Sequence, residues 1–89
     1  MRFDWDPGKS ERNRQGRGFG FDLAALIFEG GTIEWPDDRL YDGEARVRAT
    51  GKADGLVLRV VFTGRSDVRR VISARLASRK ERERWHASR

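Results

Sequence analysis

Leu56-Val57-Leu58-Arg59-Val60-Val61-Phe62-Thr63 decides the fold. Side chains of a strand alternate between its two faces. Leu56, Leu58, Val60 and Phe62 therefore share one face, which must be core, and Val57, Arg59, Val61 and Thr63 share the other. Outward from this strand, Glu44 to Thr50 and Val68 to Ser73 carry the same period. Gly51-Lys52-Ala53-Asp54-Gly55 and Gly64-Arg65-Ser66-Asp67 separate them as turns. Connections this short force antiparallel neighbours.

The two neighbouring strands add to the polar face. Arg46 and Arg48 lie opposite Ala45, Val47 and Ala49, so one sheet face gathers Arg46, Arg48 and Arg59. Arg69 or Arg70 joins them according to register, because a slip by one residue exchanges the faces. Arginines on adjacent strands repel unless an anion neutralises them, and a guanidinium fits phosphate with a planar two-pronged donor set. A merely solvated basic face is the alternative.

Further out, Met1 to Trp5 alternates as a short strand. Asp6-Pro7 opens a helix, with Asp at the N-cap and Pro at the first helical position. The segment from Gly8 to Gln15 has no apolar residue, so that helix is short or faces a partner. Gly16-Arg17-Gly18-Phe19-Gly20 ends it. Asp22 is read as the cap of a second helix, Leu23 to Phe28, closed by Gly30-Gly31. Thr32 to Trp35 reads as a brief strand stopped by Pro36, and Asp37 to Gly43 as a polar loop. Ser78-Arg79-Lys80-Glu81 is a capping box opening a last helix that runs to about His86. The expectation is an α+β protein with two N-terminal helices, a three- to four-stranded antiparallel sheet and a C-terminal helix, all in one domain spanning 1–89.

Composition narrows the chemistry. The chain has 89 residues, a net charge of +5 and no cysteine, which excludes disulfides, thiol catalysis and thiolate metal sites. Positive charge collects at the end: residues 66–89 hold eight basic against three acidic side chains. Such a balance points to a polyanionic partner. No stretch approaches a membrane span and the start carries no signal-peptide core, so a cytoplasmic protein is expected. One histidine, His86, rules out a Ser/His/Asp set. Asp37, Asp38, Asp42 and Glu44 crowd one loop, more in the manner of a solvated turn than of a cation site, and neither metal nor cofactor is expected. The glycines of residues 16–20 follow no hydrophobic strand and lack the Gly-Lys-Ser/Thr ending of a nucleotide loop.

Three groups of residues resemble one family. Phe3-Asp4-Trp5-Asp6 with Lys9, Asn13, Gly18 and Phe21 is similar to the opening of the BrnT toxins of type II toxin–antitoxin systems. Asp42-Gly43-Glu44 with Arg46 and Gly51 matches their middle segment. Arg70-Val71-Ile72-Ser73-Ala74-Arg75-Leu76-Ala77, followed by Glu81 and Trp85, resembles their Ile-Ser-Ala-Arg-x-Ala signature and closing helix. The resemblance spans roughly residues 2–85. It implies a RelE-like fold, inhibition of translation by RNA cleavage, and a BrnA-type antitoxin. It also implies a complex of two toxins and two antitoxins that binds its own promoter DNA. The family commonly has Lys-His before the glycine aligned with Gly18. Here Gly16-Arg17 stand there, and Arg17 keeps the charge but not a titration near neutral pH.

Cleavage without a metal needs attack by the RNA 2′-hydroxyl, charge stabilisation at the phosphate, proton transfer and a grip on the base. Arg75 and Arg70 are the first candidates at the phosphate, with Arg46 and Arg79 supporting. A salt bridge from Arg75 to Glu81 or Glu44 is the structural alternative. Lys9 is a candidate for proton transfer if Arg12 or burial lowers its pKa, with Glu44, Glu81 and His86 as others. Arg79, Arg48, Arg59 and Arg17 are candidate RNA contacts, and Trp85 is a candidate for base stacking, against its role as core. The rival reading is a non-catalytic module that grips nucleic acid or an antitoxin through the same basic face, and the absent Lys-His pair supports it.

Overall fold

The β-branched and aromatic run around Val60 forms the centre of a five-stranded sheet of order β1-β5-β4-β3-β2. The strands are β1 (Arg2–Trp5), β2 (Ile33–Tyr41), β3 (Glu44–Ala53), β4 (Leu56–Arg65) and β5 (Val68–Leu76). Three helices, α1 (Pro7–Arg17), α2 (Phe21–Ala24) and α3 (Arg79–Ala87), complete the chain with a 3₁₀ turn over Ala25–Glu29. This computed structural model describes residues 1–41, 43–65 and 67–89.

Strands β2 to β5 form the expected antiparallel meander, but the sheet has five strands and is mixed. The N-terminal strand returns to pair parallel with β5, Asp4 opposite Arg70 and Trp5 opposite Val71. A parallel neighbour needs a long crossover, and here everything from α1 to β4 supplies it. The segment expected as a polar loop after Pro36 is instead the continuation of β2, with Pro36 opposite Val47 and Asp37 opposite Arg46. Proline is tolerated because β2 is an edge strand and its missing N–H faces no partner. A bulge between Asp37 and Leu40 takes up the extra residues. The turn between β3 and β4 shrinks to Asp54-Gly55, both at positive φ (51° and 78°), as a tight two-residue hairpin requires.

Helix α1 begins as read, with the Asp6 carboxylate accepting the Gly8 N–H at 2.8 Å, and ends at Gly18 with φ 90°. It buries no residue and is held by polar clasps. Asn13 donates to the Phe19 carbonyl at 2.9 Å, the Ser10 hydroxyl accepts the Phe21 N–H at 2.8 Å, and Arg17 donates to the Ala74 carbonyl of β5 at 2.9 Å. The second helix is shorter than expected: Gly20, not Asp22, stands at its N-cap, and the chain tightens into the 3₁₀ turn. Its apolar side closes the main core, Phe19, Phe21, Ala24 and Ile27 against Ala49, Leu58, Val60, Phe62, Val71 and Ala74. Helix α3 lies on the opposite sheet face, where Trp85, Ala77 and Val57 make a second cluster with Ile33.

One bulge decides which arginines share a face. Val61 pairs with Ser73 but Phe62 pairs with Val71, so Ile72 is the extra residue. A bulge restarts the alternation. Val71 and Ala74 are thereby both core, while Arg70, Ser73 and Arg75 lie on the face of Arg59.

The close approach of β3 to the 3₁₀ turn gives a direct test. A Cβ on Gly51 would stand 2.9 Å from both Ile27 Cβ and Thr32 Cγ2. Gly51→Ala should lower the urea midpoint by the equivalent of about 1–3 kcal/mol, the usual cost of overpacking, and an unchanged midpoint would contradict this packing.

Candidate functional site

On the face away from α1 and α2, the alternation of β3, β4 and β5 collects arginines in a shallow basin. Arg39, Arg46, Arg48, Arg59 and Arg75 line it with Val61 and Ser73. Register explains the convergence: Arg48 stands opposite Val61, and Arg59 stands between Thr50 of β3 and Arg75 of β5. Like charges facing across strands destabilise a sheet, and α3 supplies the counter-charge. Glu81 accepts from Arg75 Nη1 and Nη2 at 2.9 and 3.0 Å and pairs with Arg59. The same carboxylate accepts the Ser78 N–H at 2.8 Å, while Ser78 Oγ accepts the Glu81 N–H. The capping box of α3 and the pairing of the two arginines are thus one structure.

These contacts set the ionisation of the site. Hydrogen bonds from Arg75, then from the Ser78 backbone, hold the Glu81 carboxyl at about 2, against 4.5 for the free group. Arg75 is raised by the same bonds. Burial pulls Arg59 down, and Glu81 offsets only part of this. At the far rim the Arg39 backbone N–H, followed by its side chain, holds Asp37 at about 2. Asp37 also lies 3.8 Å from Arg46.

Two carboxylates do not neutralise this basin. Among the described residues none contacts Arg48, whose Nη2 reaches only the Pro36 carbonyl at 3.4 Å. The Nε atoms of Arg46, Arg48 and Arg59 are buried and have no hydrogen-bond partner among the described residues. Buried guanidinium donors of this kind are costly unless something accepts from them. An anion seated in the basin would offset the charge of the guanidinium groups that carry them.

The sequence-predicted residues divide accordingly. Arg46, Arg48, Arg59 and Arg75 come together, and the structural alternative for Arg75, a bridge to Glu81, is also present. Arg70 shares the face but pairs with Asp4 at 3.1 Å. Arg69 lies on the other face, over Phe28 and Phe62 (4.8 and 4.7 Å) and paired with Glu34 at 3.2 Å. Arg79 is exposed on α3 beside Glu83. Lys9 lines a neighbouring groove with Arg12, Asn13, Arg17, Ile72 and Ser73, and Ser73 is common to this groove and the basin. Arg17 acts as the clasp to β5. Trp85 is 5% exposed in the second cluster. A different indole, Trp35, meets the basin, with Arg59, Arg48 and Arg84 at 4.8, 5.5 and 5.9 Å from its ring centre. Arg39 escaped notice because Pro36 hid the continuation of β2, and Trp35 because its strand was not paired with the arginine-bearing β3. The signal for Arg84 was its place three residues after Glu81, on one helix face.

No group of three or more His, Cys, Asp or Glu side chains stands at metal-binding spacing among the described residues. Asp42 lies outside those residues. None of the described helices is long and apolar enough to cross a membrane.

Fold and site define an α+β protein with an arginine-lined sheet face suited to a polyanion. Residues 5–81 match the family described as the ribonuclease toxin BrnT of type II toxin–antitoxin systems, and the chain belongs to that family. Membership implies ribonuclease activity and an antitoxin partner. No curated protein matches the chain.

The double duty of Glu81 yields a prediction. Glu81→Gln leaves Arg59 buried without its counter-charge and should cost roughly 2–3 kcal/mol, at or below the low end for a buried pair broken from one side. Because the folded pKa lies below the free value, the stabilisation is complete above about pH 4.5 and fades as pH falls toward 2. Denaturant melts of the two proteins across pH should therefore converge on acidification. A constant gap would refute the role of the ionised carboxylate.

Proposed function

We propose that the protein is a metal-independent endoribonuclease that blocks translation and seats the scissile phosphate in the basin of Arg46, Arg48, Arg59 and Arg75. The observation that carries this reading is the convergence of these four arginines on one sheet face, where the Nε atoms of three have no hydrogen-bond partner among the described residues. In the reaction the 2′-oxygen attacks the adjacent phosphorus as it loses its proton. The bond from phosphorus to the 5′-oxygen breaks, and that oxygen takes up a proton. The products are a 2′,3′-cyclic phosphate and a 5′-hydroxyl end. The arginines stabilise the charge that grows on the phosphoryl oxygens, with Arg70 and Arg79 gripping flanking phosphates.

We assign proton transfer to Lys9, which lines the adjoining groove that shares Ser73 with the basin. Glu81 is unsuited to it: a carboxyl held near 2 is a weak base, and its oxygens are engaged. The arrangement is read as RelE-like. The partner is a BrnA-type antitoxin that covers the arginine face in a cytoplasmic complex of two toxins and two antitoxins, and the complex binds promoter DNA. A second reading, a module that binds RNA without cutting it, is favoured by one observation. Arg17, where the family commonly has histidine, is occupied as a structural clasp.

Incubating the protein with a long RNA in EDTA separates the two. Discrete cuts should appear, and Arg48→Ala and Arg75→Ala should each slow them by about 10²–10³, the typical loss of one charge-stabilising donor. Arg48 contacts no carboxylate among the described residues, so its variant keeps the Glu81 framework. RNA that stays intact while bound would establish the binding module.

A further inference from the structure

We propose that the depression between β2 and the start of α3 is a nucleobase subsite that selects keto bases, guanine above all, beside the phosphate held in the arginine basin. The inference rests on the ribonuclease reading for its substrate class. Trp35, Arg48, Arg59, Ser78, Lys80, Glu81 and Arg84 line the depression. Its volume of about 330 Å³ falls at the lower end of small-ligand sites. Arg48 and Arg59 line both depressions. One nucleotide can therefore place its phosphate on one side of these two arginines and its base on the other.

Trp35 supplies the flat surface. Its half-buried indole is fixed on β2 opposite Arg48, and Arg59 is only 7% exposed, so both arginines are held by the sheet. Arg84, exposed on α3 and 5.9 Å from the ring centre, is the member of the group free to move. A base that enters against Trp35 replaces the cation–π contact by stacking on the indole, as unpaired RNA bases are commonly held, and the displaced Arg84 meets the edge of the base as a donor.

The lining also chooses among bases, because its side chains offer mainly donors. Glu81 Oε1 accepts from Arg75 and Ser78, and Oε2 from Arg75 and Arg59. Ser78 Oγ accepts from the Glu81 N–H and keeps a hydroxyl hydrogen to donate and one lone pair. Lys80 and Arg84 only donate. Guanine presents two acceptors, O6 and N7, to a guanidinium, and uracil presents O4. Adenine and cytosine bring an amino group to the same place, where it would face donors.

The test uses the full chain and pentanucleotides with methylated 2′-oxygens, identical except for the central base, with binding read by fluorescence anisotropy at fixed salt. Blocking the 2′-oxygen separates binding from cutting, so base preference is scored whether or not the protein cleaves RNA. Guanine should bind most tightly, with adenine and cytosine weaker by roughly tenfold, the low end for one bidentate base contact. Trp35→Leu and Arg84→Ala should bring the four affinities together while leaving binding itself. Arg84 is exposed, so its variant decides the matter if Trp35→Leu unfolds. Equal affinities in the wild type, or a preference that survives Arg84→Ala, would overturn the subsite.

Discussion

The ionic contacts of Glu81 with Arg59 and Arg75 hold the rest of the site in place. Sheet register puts these two arginines opposite each other on adjacent strands, with Arg48 one strand further on. Left alone, the array would repel itself and leave Arg59 charged and buried. A single carboxylate from the first turn of α3 resolves this, and the same carboxylate closes the capping box that starts the helix. Folding of the C-terminal helix and assembly of the basin are therefore coupled. The helix is further anchored by Trp85 in a small apolar cluster, which keeps Glu81 at the right depth.

This compensation is incomplete in a way that matters for function. Glu81 and Asp37 pair with Arg59, Arg75, Arg39 and Arg46, but the Nε atoms of Arg46, Arg48 and Arg59 have no hydrogen-bond partner among the described residues. A protein selected only for stability would gain by replacing these side chains with apolar ones, since buried charge is seldom the cheapest way to fill space. We read the arginines retained on one surface as a site for an anion. In the function proposed, that one surface serves both the RNA substrate and the antitoxin.

Much of this was legible in the sequence, and the failures have definite causes. Alternation in Leu56 to Thr63 and in the preceding strand separated core from basic face correctly, and Asp6-Pro7 and Ser78-x-x-Glu81 marked two helix starts. The parallel pairing of β1 with β5 was not legible, because a four-residue strand carries no sign of a distant partner. Pro36 concealed half of β2, and with it Arg39 as part of the site, since proline signals a strand end unless the strand is known to be an edge. Choosing between Arg69 and Arg70 required the bulge at Ile72, which simple period-two counting does not reveal. Trp85 takes the core place that stood as the alternative to base stacking, and Trp35, to which the sequence reading gave no role beyond a brief strand, meets the arginines.

The central claim is that the buried arginine donors of the sheet face receive RNA phosphate. Nitrogen-15 NMR of the arginine side chains, followed as a cleavage-resistant 2′-O-methyl RNA is added, observes those donors themselves. The account predicts that the Nε–H signals of Arg46, Arg48 and Arg59 shift together and saturate, while that of Arg2, paired with Asp67 at the sheet margin, stays in place. RNA that binds and perturbs other arginines while leaving these three signals unmoved would contradict it.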